Sequence, residues 1–230
     1  MQELEKRLKL VRKKINKAAG RIGRDSSEIK LVAVSKQQPM EKIRFFLEKG
    51  IKIFGESRAQ ELREKQKEFS DCDISWHFIG HLQRNKVKYL VRMANCTLIH
   101  SLDSLRLARE IDKRARKNGR VVPVLVQVNT ARDENKYGIM PEDTIDFLSK
   151  IKDLEHISVR GLMTLVPYFD DPGEARPYFH CLADLRETGR EMGFELAELS
   201  MGMTSDFEVA IEEGSTMVRI GRALFGPRDY

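Results

Sequence analysis

The chain has 230 residues, 41% of them hydrophobic and 33% charged, enough for a substantial core in one large or two small domains. Its +6 net charge, from 41 basic and 35 acidic residues, is spread along helix-like segments, and aromatics are only 7%; this excludes the clustered bases and interleaved aromatics of a nucleic-acid partner. The start is charged, no apolar stretch approaches a membrane span, and Cys72, Cys96 and Cys181 are far apart with no CxxC pair, so a reduced cytoplasmic protein without a membrane partner is expected.

Residues 2–19 predict a helix whose buried stripe is Leu4, Leu8, Val11 and Ile15. After it, short apolar runs alternate with amphipathic stretches. The runs are Leu31–Ser35, Ile51–Gly55, Ser75–Gly80, Thr97–Ser101, Pro123–Asn129, Ile157–Met163, Glu198–Gly202 and Met217–Gly221. Between them, Leu105, Ala108, Ile111 and Ala115 share one helix face, with Asp103 placed to cap it, and Ile145, Leu148 and Ile151 share another, with Pro141 in its first turn. Strand-then-helix alternation implies a parallel sheet, and eight units in this length close as a single (β/α)8 TIM-type barrel with an extra N-terminal helix, one domain over residues 1–230. A doubly wound open sheet would place a GxGxxG turn after the first strand; Ser35-Lys36-Gln37-Gln38-Pro39 is not one.

In such barrels the C-terminal ends of the strands carry function. Lys36 ends the first apolar run, at the tip of a buried strand. Two readings stand: a lysine snorkelling to the rim, or an amine held against apolar walls to form a Schiff base with a carbonyl. On the seventh unit, Thr204 and Ser205 stand at a helix start, where hydroxyls and free N–H groups suit an anion. On the eighth, Gly221 lets a ligand approach the backbone and a short helix can begin at Arg222. Each segment alone is ordinary capping; both on adjacent strands favour phosphate. Alternation points Arg219 into the barrel mouth while Val218 and Ile220 face out, and a buried arginine there needs a partner, either a ligand ring nitrogen or an internal carboxylate. Strand one neighbours strand eight on closure. A reactive lysine beside a phosphate cradle suits pyridoxal 5′-phosphate, an aldehyde and a phosphate on one ring.

The motifs Leu31-Val32-Ala33-Val34-Ser35-Lys36, Phe54-Gly55-Glu56, Trp76-His77-Phe78-Ile79-Gly80-His81 through Lys86, Val128-Asn129, Arg160-Gly161-Leu162-Met163, Ser200-Met201-Gly202-Met203 and Gly214 through Gly221 occur in one order. In them the chain resembles the pyridoxal phosphate homeostasis proteins, related in fold to the barrel domain of alanine racemase, from about residue 30 to the C-terminus. The resemblance implies that Lys36 carries the internal aldimine, that Thr204, Gly221 and Arg222 hold the phosphate, and that Arg219 approaches the pyridine nitrogen. Ser57 and Arg58 depart from the Asn and aromatic typical after Gly55-Glu56. Thr204 replaces a usual serine but keeps the hydroxyl, and at Arg222, often a small hydroxyl residue in the family, only the backbone N–H role carries over.

His77 reads equally as a rim residue or as one bonded inside the barrel. His77 and His81 lack the helical spacing of a zinc pair, so no metal is expected. Asp170 to Gly173 is a turn, and Gly226 to Tyr230 a surface closure. The function expected is a monomeric carrier that binds the cofactor, buffers it or delivers it to apo enzymes, without strong catalysis. A small amino-acid racemase is the alternative. It would need a second base opposite Lys36, which alanine racemase takes from a second domain; none of the five tyrosines here sits in a matching motif.

Overall fold

The structure is a computed structural model that describes residues 1–227; of the expected C-terminal closure, Arg228 to Tyr230 lie outside the described residues. Eight strands alternate with helices: β1 (Lys30–Val34), α2 (Met40–Glu48), β2 (Ile53–Glu56), α3 (Ala59–Glu68), β3 (Ser75–Phe78), α4 (Val87–Leu90), β4 (Cys96–Leu102), α5 (Leu105–Lys117), β5 (Val122–Val128), α6 (Thr144–Ile151), β6 (Ile157–Thr164), α7 (Arg176–Glu191), β7 (Glu198–Ser200), α8 (Phe207–Glu212), β8 (Met217–Ile220) and α9 (Arg222–Phe225); α1 (Gln2–Arg21) precedes them. All neighbouring strands are parallel and β8 closes on β1, pairing Val32 with Arg219, so the sheet is the expected (β/α)8 barrel. Each of the eight apolar runs became a strand, because only a strand buried on both faces tolerates such sequences.

Alternation along the strands sorts the side chains into two cores. Val32, Leu98, Leu125, Met163 and Met217 cluster inside the barrel. Their neighbours in sequence, Ala33, Ile99, Val124, Leu162 and Val218, join the larger cluster between sheet and helices. The helix α1 lays Leu4, Leu8, Val11 and Ile15 against this outer layer, at roughly 1.5–3 kcal/mol per fully buried aliphatic side chain. It packs on α8 and α9, with Arg21 bonded to Glu212 at 2.7 Å. That contact braces the two last units, which carry part of the site.

One cap differs from expectation. Ser104, and not Asp103, caps α5, its hydroxyl accepting from Leu107 N at 3.4 Å. Asp103 instead accepts from His81 at 3.1 Å, and its place one residue too early for the cap leaves it free for this loop contact.

Candidate functional site

The turn after β1 is held from both sides of Lys36. Ser35 Oγ donates to Glu56 Oε1 at 2.6 Å, and Gln37, whose φ is +58°, donates its N–H to Glu61 Oε1 at 2.5 Å. Lys65 on α3 joins the two. Its ammonium donates to Ser35 O at 2.6 Å and to Glu56 and Glu61 at 2.7 Å each. Burial raises the carboxyl pKa of Glu56 and the Lys65 charge opposes that rise. The half-buried Lys36 therefore projects from a turn whose neighbours on either side are anchored to one buried ionic knot. A sequence signal for the knot exists: Lys65 falls on the stripe Ala59, Leu62, Lys65, where the helix buries its other members.

The turn after β7 has a different support. Gly202 adopts φ +92°, and a Cβ there would lie 2.6 Å from the Cβ of Ala210, so the sharp turn requires glycine. Asp206 caps the following turn, accepting from Met203 N at 2.6 Å and from Ser205 Oγ at 3.3 Å. Helix α8 begins only at Phe207, so Thr204 and Ser205 lie in the turn before it. Their own N–H groups have no protein acceptor among the described residues. Thr204 Oγ1 accepts from Ala223 N at 3.3 Å and so ties this turn to the start of α9. At Gly221 the backbone is not left-handed, and a Cβ would meet nothing nearer than Val34 at 3.5 Å. Packing does not demand glycine there; the missing side chain leaves room toward the cavity.

Arg219 points inward from β8 and is 3% exposed. It donates to Ser200 O at 2.7 Å, Ser200 Oγ at 2.5 Å and Thr164 O at 2.7 Å. Among the described residues no carboxylate pairs with it: two carbonyls and a hydroxyl hold it. Those three bonds use three of the five guanidinium N–H groups. Burial pulls its pKa down to about 10, against the charge of Asp206, so a nearly uncompensated cation faces the barrel mouth. Behind it, Ser200 Oγ meets His100 Nδ1 at 2.9 Å, and His100 Nε2 meets His77 Nδ1 at 2.9 Å. His77 thus bonds inside the barrel and is not a rim residue. Burial holds both imidazoles neutral, with His77 pushed down to about 3 and His100 well below its ordinary value.

A cavity of about 350 Å³ opens at this rim. All five residues expected to hold a cofactor, Lys36, Thr204, Arg219, Gly221 and Arg222, line it, together with Ser57. Sequence reasoning did not assign the Leu165–Tyr168 segment after β6, which forms one wall, nor Asp206. Neither carries a local motif; their place follows from the loop path. Tyr168 is 71% exposed, and its hydroxyl has no bond among the described residues.

Fold and rim define a class: the model described as alanine racemase, N-terminal domain, matches residues 7–229. Within that class the chain belongs to the pyridoxal phosphate homeostasis protein family. It is 49% identical over 225 residues to the pyridoxal phosphate homeostasis protein of Aquifex aeolicus, covering 97% of this chain and 98% of that protein. The solved structure of PipY from Synechococcus elongatus PCC7942, with PLP bound, matches with a TM-score of 0.81 and 33% identity, over 92% of this chain and 100% of that one. A protein of unknown function from Bifidobacterium adolescentis matches with a TM-score of 0.92 and 33% identity, over 97% of this chain and 95% of that one.

Proposed function

We propose that this chain binds pyridoxal 5′-phosphate in the rim cavity and serves its homeostasis in the cytoplasm, as a buffer or a donor to apo enzymes, without strong catalysis of its own. The carrying observation is that an amine, a phosphate-type cradle and a buried guanidinium line one cavity. The bound group supplies an aldehyde that condenses with an amine and a ring that stabilises carbanions. Lys36 Nζ is the amine, presented by a turn that the Lys65 knot keeps in place. The N–H groups of Thr204 and Ser205, the Thr204 hydroxyl and the backbone at Gly221 and Arg222 receive the phosphate. The two remaining N–H groups of Arg219 would be available to the ring nitrogen. A guanidinium keeps its protons, so it gives that nitrogen none, and the ring remains a weak electron sink.

A carrier needs reversible capture, and these parts supply it. A racemase needs more: a positioned acid or base on the face opposite Lys36. Tyr168 is the tyrosine lining the cavity, but at 71% exposure and with its hydroxyl unheld it is not oriented for proton transfer. That favours the carrier. Reduction of the cofactor-loaded protein with borohydride, followed by peptide mapping, tests the central assignment. The label belongs on the peptide containing Lys36; a label on Lys86 or Lys136 refutes it. For the choice of function, L- or D-alanine is added and α-carbon deuterium exchange is followed alongside optical inversion. Turnover on the order of one per second or faster, lost in Lys36→Ala, would make the chain a racemase.

A further inference from the structure

The chain of bonds that leaves Arg219 has a direction. A guanidinium only donates, so Ser200 Oγ accepts from it. Among the described residues the hydroxyl proton then has one acceptor, His100 Nδ1. His100 must carry its proton on Nε2 and give that bond to His77 Nδ1. His77, neutral in turn, carries its own proton on Nε2. The reverse polarity would strand the Ser200 proton, an unsatisfied buried donor. Arg219 does not release a proton, so the chain is a fixed row of dipoles and not a proton wire.

Its far end emerges at the opposite mouth of the barrel. His77 is 4% exposed and lines a second cavity, of about 370 Å³, formed at the N-terminal ends of the strands. Its Nε2–H has no protein acceptor among the described residues. Lys30, Arg160 and Glu198 line the same mouth. Lys30 is neutralised by its ion pair with Glu198. Arg160 is exposed and belongs to no ion pair of the described residues. The mouth therefore holds one buried donor, one unbalanced cation and apolar walls from Ile53, Leu98 and Met217.

We propose that this N-terminal mouth is a second ligand site, for a small oxyanion, a carboxylate or a phosphate, that accepts from His77 Nε2–H and pairs with Arg160. Glu198 is already engaged by Lys30 and by the Thr216 hydroxyl, so the two groups left open, His77 Nε2–H and the Arg160 guanidinium, both present hydrogens and favour an anion over a cation. The site lies across the barrel from Lys36 and does not depend on what the rim cavity holds.

The test uses the full chain labelled with 15N at histidine and in the backbone. Long-range proton–nitrogen spectra should show His77 and His100 neutral, each protonated on Nε2. Inorganic phosphate and acetate are then titrated separately. Either should shift His77 Nε2 saturably, and which of them does so names the phosphate or the carboxylate class. Arg160→Ala should weaken that midpoint about tenfold, the loss of one charge-assisted contact. The Thr204 amide, at the other mouth, reports any rim binding and should keep its own midpoint in this variant. A His77 protonated on Nδ1, no saturable shift with either anion, or an unchanged midpoint in Arg160→Ala would overturn the proposal.

Discussion

Replacing Lys65 with methionine should cost far more than the loss of one surface lysine. Lys65 is 2% exposed and Glu56 is fully buried, so water does not reach the pair. The change deletes three donor bonds, leaving the Ser35 carbonyl only its bond from Gln38 N–H at 3.0 Å and the Glu56 carboxylate only its bond from Ser35 Oγ; Glu56 Oε2 already lacks a partner. Breaking a buried pair costs about 3–5 kcal/mol. The contact to the more exposed Glu61 adds little. The cost should depend on pH. Glu56 already has a raised pKa, and the Lys65 charge and hydrogen bond are the two largest influences holding it down. Without them it rises further. A carboxyl with a raised folded-state pKa binds more protons folded than unfolded, so its stability contribution falls as pH rises above the ordinary value of 4.5. The variant should regain up to about 1.4 kcal/mol per pH unit as the solution is taken from pH 8 toward 5, relative to the parent. Urea unfolding followed by the fluorescence of buried Trp76, the single tryptophan, measures both terms. A loss under about 1 kcal/mol, or one independent of pH, refutes the buried-pair reasoning. The double variant Lys65→Met/Glu56→Gln should recover much of the loss.

In the proposed phosphate cradle, Thr204→Ala removes a hydrogen bond to a charged group, worth roughly 1.5–3 kcal/mol, so affinity for pyridoxal phosphate should fall about ten- to a hundredfold while that for unphosphorylated pyridoxal holds; equal losses would assign Thr204 to the fold. Gly221→Ala should leave the melting temperature nearly unchanged, since its Cβ meets only Val34 at ordinary distance, yet weaken cofactor loading measured by absorbance; an equal effect on both would place the glycine in the fold instead. Acid should destabilise the chain through His77 and His100. Their folded pKa values are depressed, so their contribution is complete above about pH 6.5 and is lost as pH falls below it, for His77 down to about 3, at up to about 1.4 kcal/mol per unit for each. His77→Asn should flatten the pH dependence of urea midpoints between pH 6 and 4, and an unchanged slope would mean that other groups govern acid unfolding.

The sequence alone determined the barrel. Eight short apolar runs, most of them carrying valine or isoleucine, find their stable place as strands buried on both faces, and the spacing between them left room for one helix each. It also placed Lys36, Thr204, Gly221 and Arg222 on one rim, because each lies at or just past the end of a run and the strand ends of a parallel barrel share a face. Side-chain alternation was enough to turn Arg219 inward. What the sequence could not supply were partners far apart in the chain. Arg219 meets Thr164 and Ser200, and His77 meets His100 and, through it, Ser200, only because closure brings strands three, four, six, seven and eight around one axis. The same limit hid the wall from Leu165 to Tyr168 and the carbonyls of Ser200 and Thr164 that hold Arg219, where the sequence had left a ring nitrogen or an internal carboxylate open. Periodicity reports which face a residue takes, since that is a property of the local backbone. Which residue waits across the interior depends on the register of the closed sheet, and that is decided only by the packing of the whole barrel.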